Sequence, residues 1–298
     1  MVAAMLANLG IALAKLVAFA ITRSSSMLAE SVHSLADTGN QILLLLGAAR
    51  AKKEATPLHP FGYGRERYFW AFVVAIILFT LGAMFAMYEG VEKMLDPHEL
   101  DAPLWAIGTL LVAIGLESWS FRTAVGESRD LRGDASWPQF IRRSKVPELP
   151  IVLLEDFAAL IGLALALAAI GLSIVTGNGV WDGVGSTAIG LLLFVVALVL
   201  ATEMKSLLIG EAASPDDLEA IRSAIVNGTE VDRLIHLRTE HLGPEDLLVA
   251  AKVDLSPAAD RDTARAIDRV EARIRARVPH ARVIYLEPDE YRADHGDF

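Results

Sequence analysis

The chain has 298 residues, 53% of them hydrophobic, a mean hydropathy of +0.42 and a formal charge of -10. A soluble domain of this length is far less apolar, so composition excludes a wholly soluble protein. Cysteine is absent, which excludes disulfides and thiolate metal sites and leaves His, Asp, Glu and backbone oxygen as possible metal donors. The charge is uneven, acid-rich in the tail and basic in certain loops, and neither pattern is a nucleic-acid footprint.

Six segments are long and apolar enough to read as bilayer-crossing helices, at about 2–22, 27–50, 68–92, 104–126, 149–176 and 183–207. The opening run, Met1 to Ile21, reads as a first transmembrane helix and not as a cleavable signal or transit peptide. The expected fold is thus a six-helix transmembrane bundle, residues 1–210, followed by a water-soluble domain, residues 211–298. The connection after span two holds Arg50, Lys52, Lys53, Arg65 and Arg67, and that after span four holds Arg129, Arg132, Arg142, Arg143 and Lys145. The opposite connections hold Arg23, then Lys93 amid Glu92, Asp96, Glu99 and Asp101. The basic loops are therefore expected to face the cytoplasm, with both termini there too, in a bacterial inner membrane. Trp70, Trp105 and Trp181 near span ends suit an interfacial belt.

From Ser214 onward the pattern is helix-strand-strand-helix-strand. Ser214 followed by Pro215, Asp216 and Asp217 is a helix start. Leu247 to Leu255 reads as a strand, Asp260 to Val278 as a helix with Ala264, Ile267, Val270 and Ile274 on one face, and Arg282 to Leu286 as a short strand. An αββαβ unit of this size predicts a small α+β, ferredoxin-like module.

Span two carries Ser26, Glu30, His33 and Asp37 at steps of four, three and four, one face of a helix, with Asn40 and Gln41 continuing it. Each ionised group at mid-membrane costs about 2.5–3.5 kcal/mol on insertion scales, so these residues must face the bundle interior and be neutralised. Span five carries Glu155 and Asp156 about two turns in, pointing about 100° apart. Pro147 and Pro150 suit its first turn. Span cores are read as lacking a Lys or Arg at matching depth, which leaves protons and a metal cation as neutralisers. A histidine with carboxylates suits Zn²⁺ and tolerates Mn²⁺, Fe²⁺ or Co²⁺. Against this stand blander readings: His33 as a helix-packing histidine, and Glu30 as a residue near the outer mouth or bonded to a neighbouring helix.

The run Ser24 to Gln41, with His33 and Asp37 as an H-x-x-x-D pair, resembles span two of the cation diffusion facilitator family. His59 to Trp70 resembles the family's entry to span three, though a basic loop anchoring a span end accounts for it as well. Leu153 to Leu160, preceded by Ser144 to Pro150, is similar to the branch containing the mitochondrial zinc transporter nine. The resemblance covers nearly the whole chain. It implies a homodimeric, proton-coupled exporter with a transport site of two residues from span two and two from span five. Here Asp156 matches the second span-five position, while the first is Val152, which cannot ligate. The expected metal set is therefore His33, Asp37 and Asp156, completed by Glu155 or water. In the tail, positions that hold metal-binding histidines in other members are Ala251, Arg265 and Tyr285. His236 and His241 are read as surface residues, and the tail as a dimerisation and coupling module. Asp182 at the start of span six is expected to cap that helix.

The functional expectation is a proton-coupled antiporter exporting a divalent cation, Zn²⁺ in preference to Mn²⁺, Fe²⁺ or Co²⁺. The rivals are a non-transporting membrane sensor or scaffold and an intramembrane enzyme. The last is disfavoured by the lack of an H-E-x-x-H motif or a nucleophile signature.

Overall fold

The computed structural model describes residues 2–97, 103–260 and 262–292, with side chains from Leu9 onward except at positions 25, 103 and 260. The acidic connection with Glu99 and Asp101 lies outside the described residues. The chain divides into two compact units, residues 1–49 with 68–205, and residues 50–67 with 206–298.

The first unit is helical. It comprises α1 (Val2–Thr22), α2 (Ser25–Ala51), α3 (Glu66–Ile77), α4 (Phe85–Leu95), α5 (Pro103–Arg132), α6 (Trp137–Arg143), α7 (Glu148–Thr176) and α8 (Val180–Ile209). A π-helical stretch, Leu78–Met84, joins α3 to α4 into one rod. Among the described residues, four helices are long and apolar enough to cross a membrane: Glu66–Leu95, Leu104–Arg132, Glu148–Thr176 and Val180–Ile209. In α2 the polar face lowers hydropathy below that standard, and α1 is a helix of 21 residues whose side chains, described over Leu9–Thr22, are largely apolar.

Local chemistry explains several boundaries. Between α1 and α2 the chain turns at Arg23, whose φ of 55° is left-handed. Ser24 then starts α2, its hydroxyl accepting from the Met27 amide at 3.3 Å. The α7 helix begins next to Pro147 and carries Pro150 in its first turn, as the sequence predicts, and stops at Gly177 with φ 64°. Along α8, glycines let backbones meet. A Cβ on Gly90 of α4 would come within 2.6 Å of the Thr187 amide and 2.7 Å of the Gly183 carbonyl. One on Gly190 would come within 2.8 Å of the Met87 amide. Small residues give this close approach in membranes.

The second unit holds α9 (Pro215–Val226), β1 (Val231–Gly243), β2 (Asp246–Leu255), α10 (Pro257–Asp260), α11 (Thr263–Arg277) and β3 (Val283–Pro288). The sheet order is β1-β2-β3, with β1 antiparallel and β3 parallel to β2. Ser214 caps α9, accepting from the Asp217 amide at 3.1 Å. Leu247, Val249, Ala251 and Val253 alternate inward from β2 and meet Ile221 and Ile225 of α9 and Val270 and Ile274 of α11. The α11 stripe differs from the expected one by a residue: Ala266 is buried and Ala264 is exposed, because Ala266, Val270 and Ile274 repeat at four and so line one face.

The loop 50–67 belongs to this second unit, not to the helical one. Arg65 pairs with Glu240, and Arg67 lies 3.9 Å from Glu245. A Cβ on Gly64 would come within 2.7 Å of the Leu242 carbonyl, so the loop backbone lies directly on the β1–β2 end. The basic loop therefore does more than anchor a span end.

His241 corrects another expectation. It is not a surface residue but 3% exposed, its ring stacked on that of His280 with centroids 6.1 Å apart. Register shifts in β1 around His236 and His241 break the regular alternation that a plain strand would impose.

Candidate functional site

The inward face of α2 is polar over four turns. Ser26, Glu30, His33, Asp37 and Asn40 are all buried. The i, i+4 step brings His33 Nδ1 to 3.5 Å from Asp37 Oδ1, and neither imidazole nitrogen has a hydrogen-bond partner, nor has Asp37 Oδ1. Buried polar groups are ordinarily satisfied, so unpartnered donors and acceptors sharing one helix face mark a place built for something other than packing.

Glu155 and Asp156 of α7 are both buried and turn to different neighbours. Glu155 Oε1 accepts from Asn40 Nδ2 on α2 at 2.7 Å. Asp156 Oδ2 accepts from Ser120 Oγ on α5 at 2.9 Å. Both acids therefore face the polar interior, and the α7 pair divides between two helices as adjacent helical residues must. Val152 instead joins an apolar cluster with Leu153, Phe121, Val125, Phe140 and Trp137. Its place on that seam leaves it no part in the polar group.

Sequence reasoning missed two members. Glu117 lies on the buried stripe of α5 that runs through Ala106, Leu110, Ala113 and Ala124, and it is 6% exposed. It falls within electrostatic range of His33, Asp37 and Asp156. Its i+3 relation to Ser120, which bonds Asp156, is the signal that could have found it. Lys15 of α1 is the second. Its ammonium donates to Glu30 Oε2 at 3.1 Å and to Ser34 Oγ at 2.7 Å, with Lys15 and Glu30 each 0% exposed. The expectation that span cores lack a matching cation is therefore wrong. A lysine's four-carbon stem carries its charge well away from its own helix, and here it neutralises a carboxylate on the next one. Glu30 accordingly bonds a neighbouring helix, one turn before His33 on the same face of α2.

Asp182 is also placed differently from the expectation. Its carboxylate, 0% exposed, accepts from Ser24 Oγ at 2.8 Å and from the Ser26 amide at 3.4 Å. It serves the first turn of α2, where free amides favour an anion.

Among the described residues, no three His, Asp or Glu side chains converge closely enough to hold a metal ion in this arrangement. His33, Asp37, Glu117, Glu155 and Asp156 do interact electrostatically as one group. The α5 and α7 helices pack against each other, and α2 reaches α7 through the Asn40–Glu155 bond.

Residues 1–209 match the model of the cation efflux transmembrane domain. The chain belongs to the cation efflux family. Among curated relatives of this family member, the mitochondrial proton-coupled zinc antiporter SLC30A9 of Xenopus laevis is 32% identical over 242 residues, 80% of this chain and 43% of the relative. Metal tolerance protein C4 of Arabidopsis thaliana is 32% identical over 244 residues, 78% of this chain and 51% of the relative. Magnetosome protein MamB of Paramagnetospirillum magneticum is 25% identical over 270 residues, 88% of this chain and 84% of the relative. The chain thus spans less than half the length of the zinc antiporter it matches. Membership agrees with the resemblance carried by the His33–Asp37 motif, and with a multi-spanning membrane protein.

Proposed function

We propose that this cation efflux protein carries a divalent metal ion, Zn²⁺ before Mn²⁺, Fe²⁺ or Co²⁺, out of the cytoplasm in exchange for protons. The observation that carries the reading is the buried His33–Asp37 pair, its polar atoms unpartnered and its helix face turned toward the Glu155 and Asp156 carboxylates. His33, Asp37 and Asp156 are the ligands in this reading, with Glu155 or a water molecule completing the shell. Zn²⁺ accepts four such nitrogen and oxygen donors.

Exchange follows from the donors themselves. Imidazole ligates when neutral and carboxylates when ionised, so binding releases protons and protons arriving from the far side displace the ion. Histidine is the natural exchanger near neutral pH. The ion crosses chemically unchanged, and no enzymatic step belongs to this reading. The same proposal places six spans in a bacterial inner membrane with both termini cytoplasmic, and the tail as a ferredoxin-like module joining two copies in a homodimer. The antiporter function printed for the SLC30A9 relatives and the basic loops after α2 and α5 support these assignments.

The test is metal-driven proton movement in liposomes holding the purified chain, read with a pH dye inside and Zn²⁺ outside. Asp37→Ala is expected to abolish the flux while the protein still folds; an undiminished flux would end the proposal. Mn²⁺, Fe²⁺ and Co²⁺ in competition rank the cargo. A wild type that binds metal without moving it makes the chain a membrane sensor or scaffold instead.

A further inference from the structure

The Lys15–Glu30 pair is unused by the transport reading, yet it lies beside the transport residues. Glu30 is one turn from His33 on α2, and Ser34, the second acceptor of the ammonium, is His33's neighbour in the chain. Glu30 Oε2 is taken by Lys15, whereas Oε1 is buried without a partner. That free oxygen points at Gly162 of α7, where an added Cβ would come within 2.6 Å of it. Glu30 is thus held between α1 and the helix that carries Glu155 and Asp156.

A buried ion pair is a weak adhesive. Apolar residues of equal volume commonly join two helices as firmly, since each charge must first be stripped of water. Membrane helices that need a link more often use small residues or neutral hydrogen bonds. Adhesion alone therefore does not account for a buried lysine paired with a buried glutamate here. What the pair supplies is an amine that occupies and offsets a carboxylate which would otherwise stand free beside a site that receives a doubly positive ion.

We propose that Lys15 is a tethered counter-cation that tunes the transport site: it keeps Glu30 out of the cargo's ligand set and cancels that carboxylate's pull on the incoming ion, so that the ion is held loosely enough to leave. Without it the site would gain a free, uncancelled carboxylate and would become a trap. Lys15 acts through Glu30 and through space, so it is a positioning residue and touches no cargo. The inference rests on the divalent-cation reading above.

The experiment is calorimetric titration of the purified full chain in detergent with Zn²⁺, together with Zn²⁺ uptake by proteoliposomes to separate KM from kcat. Lys15→Met is expected to tighten Kd by about tenfold or more and to lower kcat by a similar factor. Glu30→Gln leaves the ammonium unopposed and is expected to weaken Kd by about tenfold. Lys15→Met combined with Glu30→Gln restores the local charge balance and should bring Kd and kcat back to within about threefold of wild type. Unchanged Kd in both single variants, with only thermal stability lowered, makes the pair a structural brace and overturns the inference. If Lys15→Met fails to fold, Glu30→Gln and the double variant decide it by the same criterion. A wild type that binds no Zn²⁺ overturns the carrier reading itself, whereas one that binds and transports with unaltered single variants overturns this inference alone.

Discussion

Asn40 on α2 donates to Glu155 on α7 at 2.7 Å, and this bond aims one of the two α7 acids at the His33–Asp37 face. Hydrogen bonds to charged groups are worth about 1.5–3 kcal/mol, enough to fix a carboxylate's rotamer. Asn40→Ala is expected to release Glu155, raising the KM for Zn²⁺ uptake about tenfold with kcat changed less than about twofold. A KM within error of wild type would show that Glu155 needs no such aim.

Glu117 provides a second test. It is a buried carboxylate on α5 within range of Asp37 and Asp156, and it is not part of the ligand set predicted from sequence. Glu117→Gln keeps shape and removes a negative charge. Zn²⁺ binding to the purified protein should weaken about tenfold, with thermal stability unchanged. Equal affinities would make Glu117 a packing residue.

The glycine contacts between α4 and α8 make a third. Gly183→Ala would press a methyl group to within 2.7 Å of the Gly90 carbonyl and 2.9 Å of the Met94 amide. Overpacking of this kind costs about 1–3 kcal/mol, so the melting temperature in detergent should fall by several degrees. Gly108→Ala on α5, where nothing lies within 4 Å, should leave it unmoved.

The fourth concerns the tail. Glu230 accepts from Arg269 Nε at 2.7 Å and Arg273 Nη1 at 2.8 Å, and these guanidinium groups, Arg269 first, hold its carboxyl below the usual range. A carboxyl lowered on folding contributes stability that is present above its unfolded value and lost as pH falls through the folded one. Amide exchange in β1 of the full chain should therefore accelerate as pH drops below about 4.5, after correction for intrinsic rates. Glu230→Gln should remove that dependence and cost about 2 kcal/mol. A variant with the wild-type pH profile would assign the acid sensitivity elsewhere.

The polar face of α2 was legible because four residues repeat it at helical spacing, a pattern confined to one segment. Lys15 and Glu117 were not, since Lys15 is a lone charge in an apolar helix and Glu117 ends the apolar stretch of α5, and the significance of each lies across a helix boundary, 15 residues away for Glu30 and 36 between Ser120 and Asp156. Hydropathy averages such residues away. The same limit hid His241. Its burial follows from irregular register and a stacked His280, neither of which a period of two encodes. Asp182 read as a cap for its own helix because capping is a local rule, whereas its acceptors serve α2 instead.

The glycine seam has a mechanical meaning. Helices that touch at main-chain level have no side-chain cushion over which to slide, so the α3–α4 rod and α8 behave as a keel. The buried polar groups sit elsewhere, on α2, α5 and α7, with Lys15 on α1. Asp182, rooted in the keel, grips the first turn of α2 and so ties that polar helix to it.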